Sequence, residues 1–183
     1  MKKINADRVI SVSAILLSVA TLAMIFYQTS LTRKEQKASV MPSLEIGYST
    51  KGSGDNMKES IWVSNRGLGP AFIEEVRIID NNKTIDTDPY GFLSEIQTGD
   101  RVSYFDRLYQ GKIIPANDGL TTYEKVTDST SQIILRNSFK FPYGVNSTTT
   151  NTQDAAVIEI IYKSVYGDTW KIRSDQTTPI KLD

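Results

Sequence analysis

The chain contains no cysteine and no histidine. It can therefore build no disulfide, zinc finger, haem or iron–sulfur ligation, and neither a Ser-His-Asp nor a Cys-His triad. Ser-x-x-Lys is absent as well, which removes the simplest Ser/Lys nucleophile. Chemistry would fall to carboxylates, lysine, tyrosine, serine or threonine. The chain also lacks an excess of charge of either sign, with 21 Lys+Arg against 21 Asp+Glu in 183 residues.

That balance hides an asymmetry. Residues 1–38 hold Lys2, Lys3, Arg8, Arg33, Lys34 and Lys37 against Asp7 and Glu35, a surplus of four positive charges, and the remainder carries the matching deficit. A mildly acidic body without a basic stripe is a poor partner for nucleic acid, whose binding is dominated by phosphate neutralisation. The positive charges instead flank one apolar run, Val9 to Tyr27, 19 residues without a charge and uncharged as far as Thr32. At 1.5 Å per residue it spans about 28 Å, close to the hydrocarbon thickness of a bilayer. A cleavable signal peptide would need a shorter apolar core and a small-x-small site before a polar mature end. The nearest such site, Thr21-Leu22-Ala23, would leave Met24-Ile25-Phe26-Tyr27 leading the mature chain. We therefore expect an uncleaved transmembrane anchor over residues 9–32, preceded by a basic tail, 1–8, and followed by a helical stalk, 33–42, that stops at Pro42.

Flanking charge alone leaves the orientation tied, with three basic residues on each side. The short basic tail and the cysteine-free body favour a single-pass protein of the plasma (inner) membrane with its body outside the cytoplasm, and Arg33-Lys34-x-x-Lys37 argues for the reverse. Within the anchor, Ser11, Ala14, Ser18 and Thr21 are spaced three, four and three apart, so they form one stripe. Small and hydroxylated stripes let helices approach in lipid, which makes a homo-oligomer through the anchor an alternative to simple dilution of an apolar helix by Ser and Thr.

After Pro42 the period changes to two. Leu44, Ile46 and Tyr48 alternate with polar residues, then Ile61 and Val63 after a loop at 51–56. Ala71, Ile73, Val76 and Ile78 form a third strand in which Glu74-Glu75 breaks the alternation, as a bulge would. Asp80-Asn81-Asn82-Lys83 has hairpin chemistry, returning through Thr84-Ile85. Asp88-Pro89 starts a short helix through Leu93 and Ile96, with Asp as cap and Pro at the first helical position. Val102–Leu108 and Leu120–Val126 are expected strands, Asp128–Leu135 a second short helix and Asn146–Gln153 a polar loop. Ala156 to Tyr166 alternates once more, Gly167-Asp168 turns as a two-residue hairpin, and Trp170 and Ile172 return. The fold class is thus one transmembrane helix followed by an all-β, mainly antiparallel Ig-like sandwich, residues 43–183, with one or two short helices.

Three segments carry a resemblance: Ser39-Val40-Met41-Pro42-Ser43-Leu44-Glu45, Asn65-Arg66-Gly67-Leu68-Gly69-Pro70-Ala71, and Tyr162-Lys163-Ser164-Val165-Tyr166-Gly167-Asp168-Thr169-Trp170. With them the chain resembles uncharacterised bacterial single-pass membrane proteins that have an anchor helix, a polar stalk and a β-sandwich. The resemblance implies an architecture and no activity.

Asn65, Gly67, Gly69 and Pro70 read as a structural turn, with positive φ at the glycines and the Asn side chain bonding backbone amides. The segment lacks the third glycine and the strand–turn–helix context of a nucleotide fingerprint. Asp86-Thr87-Asp88 has the spacing of a metal-binding pair but no EF-hand pattern around it, and reads as turn acids. Glu74-Glu75 makes no acid/base pair if the strand sends the two side chains apart. Tyr162, Tyr166 and Trp170 straddle one hairpin, as a cross-strand pairing or as an aromatic ligand surface. The expectation is a non-enzymatic binding module, without catalytic residues, metal or cofactor, that meets the bilayer and another protein. The alternative is a membrane effector whose body senses a ligand or partner and whose anchors oligomerise to perturb the membrane.

Overall fold

A computed structural model describes residues 6–52, 57–96, 102–127, 138–141 and 155–182. The expected helix at Asp128–Leu135, the loop at Asn146–Gln153, the tip of the 51–56 loop, and Lys2 and Lys3 lie outside the described residues. The chain divides into two units, Met1–Ser39 and Val40–Asp183.

The first unit is helix α1, Ala6–Ser39, 34 residues. Its mean hydropathy reaches 2.5 over an 18-residue window, and among the described residues it is the one helix long and apolar enough to cross a membrane. The hydroxyls of Ser11, Ser18, Thr21 and Thr29 donate to the carbonyls of Asp7, Ala14, Leu17 and Ile25, each at 2.8 Å. Every one of these polar groups is thus satisfied one turn back within its own helix, which is what apolar surroundings require.

The second unit is built from antiparallel strands. One sheet has the order β1 (Leu44–Lys51), β2 (Met57–Asn65), β7 (Gly119–Thr127), β5 (Val102–Tyr104). The other runs β10 (Ile180–Lys181), β9 (Thr169–Arg173), β8 (Val157–Lys163), β3 (Ala71–Asp80), β4 (Lys83–Ile85), and β6 (Ile113–Ile114) also pairs with β3. Among the described residues every strand pair is antiparallel, and a single isolated bridge, Phe139 with Ala156, is parallel. Helix α2 spans Pro89–Ile96. Leu44, Ile46, Ile61, Val63 and Tyr123 from the first sheet share one core with Ile73, Ile78, Ile158, Ile160, Tyr162 and Ile172 from the second, and α2 adds Phe92 and Leu93. Each fully buried aliphatic side chain contributes about 1.5–3 kcal/mol by leaving water.

Local chemistry sets the details. Asn81 and Asn82 adopt φ of 46° and 64°, so Asp80 and Lys83 close a two-residue primed turn. The register of β3 against β8 shifts between Ile73 and Glu75, the bulge read from the sequence. The extra residue brings Val76 and Ile78 back to the core side and keeps Glu75 exposed. Two expectations need correction. Gly167, at φ 82°, ends a longer loop in which its N–H bonds the Ser164 carbonyl and Ser164 N–H bonds the Asp168 carbonyl, so the β8–β9 connection is no two-residue turn. Strand β5 stops at Tyr104 rather than Leu108, because Leu108 N–H leaves the ladder for the Asp88 carboxylate at 3.2 Å.

Candidate functional site

The Asn65–Pro70 turn is a densely bonded polar feature of the body. Asn65 is completely buried and uses its whole amide: Oδ1 accepts from Ser43 N–H (3.1 Å) and Gly67 N–H (3.0 Å), and Nδ2 donates to the carbonyls of Gly69 (2.8 Å) and Ile114 (3.1 Å). Arg66 N–H and Leu68 N–H bond the carbonyls of Ser43 (2.8 Å) and Met41 (3.0 Å). These contacts extend the β1–β2 register, in which Leu44 faces Asn65, back along residues 41–43. Gly67 and Gly69 are not in the positive-φ region, contrary to expectation. They are required for closeness: a Cβ on Gly67 would overlap Met41 O and Ser43 N, and one on Gly69 would overlap the Val40 carbonyl, all well inside 3.0 Å. The turn is a seat for the segment entering β1, and the four hydrogen-bonding positions of the Asn65 amide are filled by it.

Asp88 is equally committed. It is 4% exposed, and its Oδ1 caps α2 through Gly91 N–H at 2.9 Å. Its Oδ2 accepts from Arg107 Nε at 2.6 Å and from Leu108 N–H. Asp86, whose side chain is 89% exposed, reaches only Arg77 Nε at 3.8 Å. Glu74 pairs with Lys163 at 3.1 Å and Glu75 with Arg77, so the two carboxylates of the Glu-Glu pair turn to different cations. Among the described residues no group of three metal-ligating side chains converges.

The three aromatics of the last hairpin do not form one surface. Tyr162 is fully buried, and its hydroxyl accepts Leu44 N–H at 3.3 Å, tying one sheet to the other. Burial pushes its phenol up to about 12. Trp170 faces Tyr162 across β8–β9 as the cross-strand reading expected, half-buried, with Lys181 Nζ 5.9 Å from its ring centre. Tyr166 alone stands exposed in the turn. On α1, Ala14, Ser18 and Thr21 line a shallow groove with Leu17, Leu22 and Ile25.

A cleft that sequence reasoning missed lies at the β3 bulge. It has a volume of about 430 Å³ and is lined by residues 74–77, 86–88 and 107–110. Its origin is a gap in strand pairing. On the edge of β3 away from β8, Ile73 exchanges backbone bonds with Gly111 and Lys112, and Ile78 pairs with Ile85 of β4. Val76, between them, has the same parity, so its N–H and C=O point to that edge. The residue that would continue β4 opposite Val76 is Thr87, but Thr87 N–H bonds back to the Ile85 carbonyl at 3.0 Å and the chain turns into α2. The cleft is thus a slot one strand wide, with Val76 and the buried Leu108 as apolar floor and charged side chains at the rim. The rim holds Glu74, Glu75, Asp86 and Asp88 against Arg77 and Arg107, a net negative lining.

Comparison of the chain with protein-family models, curated proteins and solved structures finds no match, so the functional reading rests on these residues.

Proposed function

We propose that the protein is a membrane-tethered, non-enzymatic binding module: an Ig-like β-sandwich held at the plasma (inner) membrane by α1, its body outside the cytoplasm and engaged with another protein. The observation that carries this reading is α1 itself. From Val9 to Phe26 its large apolar side chains are all exposed, a surface that water would not tolerate over such a length and that lipid would cover. The body supports it because the acids that could have served chemistry are spent on architecture, as with Asp88 on α2 and Glu74 on Lys163. The effector alternative draws on the groove beside Ser18 and Thr21. Their hydroxyl protons already bond within the helix, so association would draw on close packing rather than on hydrogen bonds donated by these groups.

The test uses the absence of native cysteine. Thr178→Cys, at an exposed position, places the chain's one thiol on the body. The module reading expects the chain to stay with the membrane through an alkaline carbonate wash and to be labelled by an impermeant maleimide in intact spheroplasts. Release by the wash contradicts the tether. Labelling only after lysis contradicts the outward body and favours the effector. Turnover of a hydrolysable substrate that is lost on mutating one acid contradicts the non-enzymatic assignment.

A further inference from the structure

We propose that the slot at the β3 bulge is the binding site of the module, and that it takes a short extended peptide of a partner protein, added as the missing strand beside Val76. This rests on the binding-module reading and names its site and ligand class. A β-strand edge displays unpaired N–H and C=O groups as a template for another chain, and strand addition captures extended peptides by main-chain bonds while side-chain pockets set specificity. Here the template is one residue long. The peptide residue opposite Val76 exchanges both backbone bonds with it and turns its side chain toward Val76 and Leu108, so it is apolar and of modest size. Its two neighbours point the other way, to the rim beside Glu75 and Arg77.

The rim selects positive charge. Arg77 is already surrounded by Glu75, Asp86 at 3.8 Å and Glu159 at 3.8 Å, while Arg107, 55% exposed, is held through Nε by Asp88, so the four acids of the lining outweigh its two cations. Asp86 is the most exposed acid of the lining, at 89%, and is held by one long contact. A basic residue flanking the apolar one meets it. Two main-chain bonds and one exposed charge contact make a weak, exchangeable complex, suited to a body concentrated with its partner at one membrane.

The experiment uses the full chain in lipid nanodiscs and a fluorescein-labelled, end-capped peptide Thr-Lys-Val-Lys-Thr, with binding read by polarisation. Saturable binding is expected, weakened at least tenfold when the Val nitrogen is methylated and when both Lys are replaced by Glu, and about two- to fivefold in Asp86→Lys and Asp86→Asn. Asp86 is so exposed that both variants keep the wild-type urea midpoint, which reads folding independently of binding. Absence of saturable binding, equal binding of the N-methylated peptide, or undiminished binding by folded Asp86→Lys overturns the proposal. Any of these leaves the tethered-module reading intact, since that reading is decided by membrane retention and labelling.

Discussion

The Asn65–Pro70 turn and the slot beside Val76 both interrupt regular β-structure with polar residues, and they spend their hydrogen-bonding capacity in opposite ways. At the turn, a buried amide makes four bonds, and two glycines let the backbone of residues 40–43 lie where a Cβ would otherwise be. At the slot, a strand in the middle of its sheet keeps one residue's N–H and C=O turned toward a cleft. Density of polar or glycine residues therefore does not mark a site in this fold. Bonding capacity left open at a shaped cavity does.

That contrast can be broken at the turn most severely. Asn65→Ala leaves the N–H groups of Ser43 and Gly67 and the carbonyls of Gly69 and Ile114 without their partner, and should cost about 4 kcal/mol. Urea unfolding followed by the fluorescence of Trp62 and Trp170, both in the body, measures it. Gly69→Ala should cost about 3 kcal/mol and Gly69→Val little more, because the overlap with Val40 begins at the first side-chain carbon. Gly167→Ala, at φ 82° with open space around it, should cost only about 1 kcal/mol. Equal losses at Gly69 and Gly167 would mean that the close approach to Val40 adds nothing beyond what a strained backbone costs at Gly167.

A third effect is of pH. The Tyr162 phenol titrates near 10 when unfolded and about 12 when buried, so its raised value favours the neutral, folded form. The contribution is complete below pH 10 and is lost as pH rises toward 12, on the order of 2–3 kcal/mol, since the unfolded chain releases the proton first. Tyr162→Phe should flatten this alkaline fall in the urea midpoint. The smallest effect on stability belongs to the slot: Asp86→Lys should change it by less than about 0.5 kcal/mol.

Much of this architecture is legible in the residues. The long apolar helix is a one-dimensional property, readable from hydropathy. Asp88-Pro89 announces α2 because capping is local, and the three-residue step from Ile73 to Val76 announces the bulge because alternation must skip a residue there. Gly67 and Gly69 were expected at positive φ, whereas the demand on them comes from residues 40–43, more than twenty positions away. Strand β6 has two residues and no alternation to reveal it. The slot was invisible for a related reason. It exists because β4 ends by turning at Thr87 while β6 ends beside Phe72, and no window of sequence contains both events.

Amide hydrogen exchange of the full chain in nanodiscs, resolved by residue, tests the contrast most directly. Glu75 and Arg77 direct their N–H groups to β8, and Leu68 N–H is bonded to Met41, so all three should be strongly protected. Val76 sits between Glu75 and Arg77 in the same strand, and its N–H should exchange at least about a hundredfold faster than theirs. Adding the Lys-Val-Lys peptide should slow it. A Val76 amide as protected as its neighbours in the free chain would show that the edge is already spent, and would contradict the account.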